Sequence, residues 1–275
     1  MVVNRRDTIA FLLSAATGAF LATPARSKNF PPMGLQLYTV RALLEQDFEG
    51  TLARIATLGY QQVEFAGVYG PSLHQTATIL KRYGLFAPSG HVSYAKLERE
   101  LPVAIQAANE LGQNFIVCPY LDERDRRKLD DWKRVCDRFN EIGKQARKAG
   151  LSFAYHNHDF EFLQMDGQIP YDVMLAETDP DLVKLEIDLY WMARAKRDPI
   201  AYFQKYPKRF PLVHLKDMAD DGTITDVGKG IVDFKSILGH SALAGMAYCF
   251  VEHDNPGNPM LSIETSLRFV RQLDI

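Results

Sequence analysis

Short apolar segments recur along the chain and alternate with longer stretches of mixed polarity. The short segments occupy residues 34–38, 61–67, 85–92, 114–120, 151–156, 182–188, 210–216 and 247–253. Their length and their β-branched and aromatic content are typical of buried strands. The stretches between them carry apolar residues at helical spacing, so the pattern predicts an α/β protein in which strands and helices alternate.

One of the intervening stretches, residues 47–60, illustrates the helical signal. Asp47 is a helix-capping residue type, Leu52 and Ile55 fall on one face, and Gly59 is typical of a helix end. The stretches "LERELPVAIQAANELG" and "LDDWKRVCDRFNEIGKQARKAG" have the same character and also end in glycine. Each predicts a helix that packs one face on the neighbouring strands.

The number of repeats favours one closed barrel. Eight strand–helix units of this length fit a single (β/α)8 TIM barrel over residues 33–275 better than an open doubly wound sheet. No GxGxxG motif follows the first apolar segment, which argues against an open dinucleotide-binding fold. No linker rich in Pro, Gly or Ser divides the chain, so we expect one domain.

Composition narrows the function classes. The chain has 275 residues, 47% of them apolar, and a formal net charge of -2 without basic runs, which argues against nucleic acid as a partner. The three cysteines, Cys118, Cys136 and Cys249, are too few and too scattered for a disulfide framework or a cysteine zinc site. No internal segment reaches the length of about 20 apolar residues that spans a bilayer.

Residues 1–26 have a different character from the rest of the chain. Arg5 and Arg6 precede an apolar run from Ile9 to Ala22, and small residues follow up to Ala25. This order is typical of a secretion signal, and the arginine pair indicates the twin-arginine route, although Asp7 and Thr8 after the pair are atypical. We expect a mature protein that begins near residue 26, works in the periplasm and keeps no stable membrane span. A buried N-terminal helix or a lipid-surface anchor is the alternative.

Polar residues collect where the predicted strands end. A barrel places its chemistry at the carboxyl ends of its strands. The residues found there are Gln36, Tyr38, Glu64, His91, Cys118, His156, His158, Glu186, Asp188, His214, Lys216, Glu252 and His253. A purely structural barrel has no reason to end nearly every strand in this way, so the pattern predicts a functional site.

Four of these residues form a set of metal-ligand types. His156, Asp188, His214 and Glu252 follow the last four strands, and imidazole with carboxylate suits one divalent ion such as Mn²⁺, Co²⁺, Zn²⁺ or Mg²⁺. Adjacent strands would bring them around one point above the barrel axis. A buried hydrogen-bond network in the barrel mouth is the alternative.

From Met33 onward the chain resembles the xylose-isomerase-like TIM barrels, the sugar phosphate isomerase/epimerase superfamily. The resemblance rests on "GLQLYTVR", "GYQQVEFAG", "YHNHDFEF", "LEIDLYW", "VHLKD", "VGKGIVDF" and "VEHD". It implies one divalent metal held by a Glu, an Asp, a His and a Glu from strands five to eight, of which Asp188, His214 and Glu252 match the last three. His156 stands where many members have the first Glu, with His158 or Glu161 as its alternative. Trp191 stands where many have His.

The remaining polar residues are assigned roles in catalysis and substrate binding. Glu252 is expected to move a proton beside a carbonyl, Lys216 to stabilise negative charge, and Glu161 or His158 to protonate a leaving oxygen. The predicted substrate-binding residues are Gln36, Tyr38, Glu64, His91 and Trp191. For Lys216 the alternative is an ion pair with a nearby carboxylate. For His91 and Glu64 it is a hydrogen-bonded strand end without contact to substrate. The glycine turn "VGKG" at 227–230 is too short to identify as a phosphate site.

The expected activity is that of a metal-dependent sugar isomerase or epimerase acting on a ketose or keto-sugar through an enediolate. The alternative is a metal-dependent lyase that eliminates water or an aglycone from a keto-sugar or keto-glycoside. A phosphodiester nuclease, which shares the barrel in DNA repair, needs more His ligands and basic character than the chain has. A non-catalytic sugar-binding protein also stays open. The expected partner is a small sugar, and a homo-oligomer is compatible with the sequence.

Overall fold

The architecture is a closed barrel of parallel strands, seen in a computed structural model that describes residues 32–67 and 70–274. Within those ranges eight parallel strands form the barrel: β1 (Met33–Gln36), β2 (Gln62–Phe65), β3 (Phe86–His91), β4 (Phe115–Cys118), β5 (Ser152–His156), β6 (Val183–Asp188), β7 (Leu212–Leu215) and β10 (Tyr248–Val251). They close in the order β1-β10-β7-β6-β5-β4-β3-β2. Seven of them lie within the predicted apolar segments and β1 begins one residue before its segment, which confirms the predicted barrel.

Two short strands outside the barrel follow β7. They are β8 (Asp217–Met218) and β9 (Ile224–Thr225), which pair antiparallel. The alternation of apolar segments does not reveal them, because each is only two residues long.

Helices cover the outside of the barrel between successive strands. They are α1 (Arg41–Gln46), α2 (Phe48–Leu58), α3 (Leu73–Arg82), α4 (Tyr94–Glu110), α5 (Leu129–Lys148), α6 (Pro170–Glu177), α7 (Leu189–Arg194), α8 (Pro199–Lys205), α9 (Phe234–Gly239), α10 (Ser241–Ala244) and α11 (Pro259–Gln272). Short 3-10 turns occupy Leu37–Val40, Glu123–Asp125 and Phe160–Phe162.

The local signals for α2 operate as predicted. The Asp47 side chain accepts a hydrogen bond from the Gly50 N–H at 2.9 Å, and Gly59 ends the helix in the left-handed region at φ 99°. Helix α4 departs from a regular helix, because Glu100 has non-helical angles and Pro102 lies inside the helix. Proline lacks the N–H that an uninterrupted helix would use, so α4 is bent there.

The barrel interior changes from apolar to polar toward its mouth. Apolar side chains from four strands fill its lower part: Phe115, Val117, Ala154, Leu212 and Phe250. Phe250 requires a glycine opposite it, since a Cβ on Gly34 would lie 2.4 Å from its ring. Residues two positions further along a strand point to the same side. The layer above these five apolar side chains is therefore built from the last residues of the strands.

Outside the barrel, no helix of the described residues is long and apolar enough to cross a membrane. The predicted signal at 1–26 lies outside the described residues, so its export and the periplasmic location remain predictions.

Candidate metal centre and active site

Strand register brings the four predicted ligands together. Asp188 lies opposite His214 in the β6–β7 pair, and His156 lies opposite Glu186 in the β5–β6 pair. Glu252 follows β10 directly, and its N–H donates to the carbonyl of Leu215 at 3.0 Å. One ligand atom from each of the four residues lies within 4.8 Å of every other: His156, Asp188, His214 and Glu252.

The contacts within this group leave ligand atoms unused. Nδ1 of His214 lies 3.0 Å from Glu252 Oε2 and 3.8 Å from Asp188 Oδ2, but makes no hydrogen bond. Nδ1 of His156 is also buried without a partner, while its Nε2 lies 3.4 Å from Asp188 Oδ2. All four residues are buried. Orphaned imidazole nitrogens facing buried carboxylates are what a divalent cation would satisfy, so the residues fit the predicted metal.

Asp188 is fixed from outside the group. Its Oδ1 accepts the N–H of Trp191 at 3.1 Å and so caps α7, and its own N–H donates to Asn157 Oδ1 at 3.1 Å. Burial raises the pKa of Asp188 to about 7, against the opposing effect of Lys216. Trp191 thus supports the candidate ligand through its backbone.

A second polar layer lies directly behind His214. Nε2 of His214 is 2.7 Å from Glu64 Oε2, Nε2 of His91 is 2.9 Å from Glu186 Oε2, and Gln36 Nε2 donates to Glu64 Oε2 at 2.7 Å. The ligand types of Glu64, His91, Glu186 and His214 would also suit a metal. However, both histidine Nε2 atoms are already hydrogen-bonded there, which is how outer carboxylates orient a metal-binding histidine.

Charge is distributed between these two layers. Burial works against the charged imidazole, but Glu64 and Glu186 outweigh it and raise the pKa of His91 to about 9. Burial opposes the charged carboxylate of Glu64, yet His91 and His214 hold its pKa well below its usual range. The second layer is therefore an ion-paired support beneath the candidate centre.

Lys216 places an ammonium group among three carboxylates. Its Nζ lies 3.2 Å from Glu252 Oε2, 3.5 Å from Asp188 Oδ2 and 2.5 Å from Asp254 Oδ1. Burial disfavours the charged amine, but these carboxylates raise the pKa of Lys216 above its ordinary value. The side chain is only 2% exposed. Asp254 had no predicted role, since it lies beyond the strand end, and only its closeness to Glu252 in sequence pointed to it.

His158 lies in an aromatic surrounding at the same mouth. Its ring stacks on Phe160 at 5.5 Å and lies 5.2 Å from the ring of Tyr120 and 5.1 Å from that of Trp191. Burial, assisted by Lys216, lowers the pKa of His158 to about 3. Near neutral pH the imidazole of His158 is therefore uncharged, so this environment does not favour the predicted role as a proton donor.

Glu161 lies under the β5 loop. Its carboxylate accepts the O–H of Tyr155 at 2.5 Å and the N–H of His158 at 2.8 Å. It is fully buried and does not line the cavity at the mouth. Its carboxylate fixes the backbone of His158, and the predicted role of Glu161 as a proton donor stays a prediction.

The glycine turn after β9 is occupied by a carboxylate of the chain itself. Asp217 Oδ2 accepts the N–H groups of Gly228 and Gly230, each at 2.9 Å. Its Oδ1 accepts those of Met218 at 2.8 Å and Val232 at 3.1 Å. These amides cannot also hold a substrate phosphate while Asp217 uses them.

A cavity of about 660 Å³ opens onto the candidate centre. Its polar end is lined by His91, His156, His158, Lys216, Glu252 and Asp254, and Tyr38 lies on its wall. Of the other predicted substrate contacts, Gln36 and Glu64 are fully buried in the layer below and do not line the cavity. Trp191 lies behind His158 and Lys216.

Known proteins resemble this chain in sequence and in structure. The family model of the xylose isomerase-like TIM barrel matches residues 52–273. An inosose dehydratase from Clostridium beijerinckii is 25% identical over 232 residues, which cover 70% of this chain and 77% of that one. A second, from Lacticaseibacillus casei, is 29% identical over 134 residues, covering 42% of this chain and 44% of that one.

Solved structures extend the comparison. A sugar phosphate isomerase/epimerase from Parabacteroides distasonis superposes with a TM-score of 0.76 at 28% identity, covering 92% of this chain and 98% of that one. The IOLI protein, whose structure holds a zinc atom, shares the fold with a TM-score of 0.71 at 16% identity, covering 88% and 97%. The match of the family model over most of the barrel, together with this geometry, establishes that the chain belongs to the xylose isomerase-like TIM barrel family.

Proposed function

We propose that the protein is a divalent-metal-dependent lyase that removes a β-substituent, such as water, from a keto-sugar or keto-cyclitol. The observation that carries this proposal is the asymmetry of the candidate centre: the cavity is lined by a carboxylate, Glu252, after β10, and by the imidazoles of His156 and His158 after β5, three strands away around the barrel. The inosose dehydratases among the relatives support the same reaction class.

The asymmetry disfavours a symmetrical two-base epimerase. That chemistry needs two proton-transfer groups of similar kind on opposite faces of the substrate. His156 offers an imidazole that would be committed to a cation, and a committed lone pair makes a poor base. The proposed reaction therefore uses one base.

The chain supplies the proton transfer and the charge stabilisation. A bound divalent ion would polarise the substrate carbonyl. Glu252 takes the proton from the neighbouring carbon, and the C–H electron pair forms the double bond as the C–O bond to the leaving group breaks. The leaving oxygen needs one proton, which the protonated Glu252 can return, so atoms and charge balance. Lys216, held beside Glu252, stabilises the negative charge that develops on the substrate oxygen.

The reaction is tested by incubating the protein with ketoses, 3-keto sugars and inososes in D₂O, with Mn²⁺ or with a chelator. A lyase yields an unsaturated ketone, seen as new ultraviolet absorbance, and only with the metal. Deuterium at a carbon of inverted configuration, without elimination, would establish the epimerase in its place.

A glutamate variant connects the activity to the site. Glu252→Gln keeps the shape but removes the base, so we expect turnover to fall by at least about a hundredfold. Glu264→Gln is the matched control, because Glu264 is an exposed residue of α11 that pairs with Arg268. Equal losses in both variants would contradict the assignment of Glu252.

A further inference from the structure

The cavity extends well beyond the candidate centre. From its polar end it continues between α3 and α4, where it is lined by Leu73 and Thr76 of α3 and by Val103, Ala104 and Ala107 of α4. Its wall includes residues from Ser93 to Leu111, so it follows α4 for roughly 25 Å. We call the part between the two helices the apolar arm.

The size of the cavity exceeds the needs of one sugar ring. A cavity of about 660 Å³ is typical of a site that encloses a drug-sized ligand. The histidines, the Lys216 amine and the carboxylates of the candidate centre lie at one end. Beyond them α4 adds Lys96 and Glu100 to the wall, and between α3 and α4 Thr76 stands among apolar side chains. A sugar hydroxyl placed in the apolar arm would face mainly the aliphatic side chains of Leu73, Val103 and Ala107, which offer it no hydrogen bonds, so this part of the cavity suits an apolar group better.

The apolar arm also exposes hydrophobic side chains to solvent. Val103 is 62% exposed and lines the arm, and Tyr38 and Tyr120, at 39% and 41%, line the same cavity nearer the centre. Among the described residues only seven large apolar side chains are this exposed, and these three share one cavity. The bend of α4 at Glu100 and Pro102 lies in the middle of this wall.

We propose that the substrate is a keto-glycoside whose aglycone is an apolar, aromatic-sized group, and that this group binds in the apolar arm while the sugar ketone binds at the candidate centre. This inference rests on the proposed function and specifies its substrate class. Elimination then breaks the bond between the sugar carbon and the glycosidic oxygen. That oxygen keeps the electron pair and receives the proton taken from the sugar, so the products are an unsaturated keto-sugar and a free alcohol or phenol.

Binding of inert glycosides to the metal-loaded protein tests the apolar arm without turnover. Naphthyl and methyl glucosides carry no ketone and cannot undergo the elimination, so calorimetry gives the dissociation constant of each. We expect the naphthyl compound to bind at least tenfold more tightly, because its ring buries apolar surface that the methyl compound lacks.

Three variants locate the effect. Ala107→Trp fills the apolar arm and should bring the ratio of the two dissociation constants to within about twofold. Asn109→Trp is the control, since Asn109 is exposed on the same helix and does not line the cavity. Val103→Asn, at an exposed position that tolerates substitution, should reduce the ratio by a few-fold if Ala107→Trp does not fold.

The outcomes separate this inference from the proposed function. Equal affinities for the two glucosides in the wild-type protein, or an unchanged ratio in the Ala107 and Val103 variants, would overturn the apolar arm even if keto-sugars are turned over. The expected ratio without elimination of any keto-glycoside would leave the arm supported as an apolar subsite and the lyase refuted.

Discussion

Replacing Glu161 by Gln should change how the stability of the protein depends on pH. Glu161 is fully buried and accepts hydrogen bonds from the O–H of Tyr155 and the N–H of His158. Glutamine has the same shape, and it can accept the N–H of His158 while donating to Tyr155. The substitution therefore removes a titrating carboxyl, keeps the hydrogen bond from His158 and reverses the direction of the one with Tyr155.

The size of the effect follows from the pKa of this carboxyl. Burial raises the pKa of Glu161 from 4.5 to about 8, with the hydrogen bond from Tyr155 opposing the rise. Between pH 4.5 and pH 8 the Glu161 carboxyl therefore keeps its proton in the folded chain but loses it in the unfolded chain. The contribution of Glu161 to stability is complete below pH 4.5 and is lost as the pH rises toward 8. Linkage gives a loss of about 3 kcal/mol between pH 5 and pH 8.

Urea unfolding at pH 5, 6, 7 and 8 measures this loss. The difference between the free energies of unfolding of Glu161→Gln and the wild-type protein should increase, in favour of the variant, by about 3 kcal/mol from pH 5 to pH 8. Glu264→Gln, at the exposed carboxylate, should follow the wild-type curve. Parallel curves for wild type and Glu161→Gln would refute the assignment of a buried protonated carboxyl.

The same variant separates two roles of Glu161. If this residue only fixes the backbone of His158, glutamine should retain most of the turnover, because its amide oxygen still accepts the N–H of His158. A loss of a hundredfold or more would restore the proton-donor role predicted from the sequence.

Other perturbations address the metal, the charge and the location of the protein. His214→Ala should abolish metal binding, measured by elemental analysis, while circular dichroism stays that of the folded barrel; full metal occupancy would contradict the ligand set. Lys216→Met should lower turnover by about 10²–10³ while the metal stays bound, because it removes charge stabilisation. Metal and activity lost together would give Lys216 a structural role instead. Changing Arg5 and Arg6 to Lys should retain the uncut chain in the cytoplasm; if the variant still reached the periplasm, the twin-arginine route would be wrong.

Much of the fold was predictable because barrel strands leave a repeated signal. Each strand is buried on both faces and so forms an apolar run, and eight such runs in alternation with helices have few other solutions. The bend in α4 was not predicted, since the helical spacing of apolar residues continues across Pro102. The antiparallel pair β8–β9 was not predicted for a different reason: strands of two residues are too short to show any periodicity.

The candidate site was predictable to the extent that it depends on strand ends. His156, Asp188, His214 and Glu252 could be grouped because parallel strands place their carboxyl ends together. The two layers could not be separated from sequence, because the pairing of His214 with Glu64 depends on side-chain rotamers and on the register around the closed barrel. For the same reason Gln36 and Glu64, which were predicted to touch the substrate, are found behind His214 instead.

The carboxylate of Asp217 has a consequence for how the loop after β9 is organised. When the amides of a loop bind only a substrate anion, the loop becomes ordered only on substrate binding, and the conformational entropy lost in that ordering weakens binding. Here the anion is part of the chain, next to Lys216, and it binds the amides of Gly228 and Gly230 as soon as the barrel folds. The loop is therefore preorganised in the free protein, and the ordering cost belongs to folding. The shape of this side of the mouth is then independent of substrate concentration and of any phosphate on the substrate.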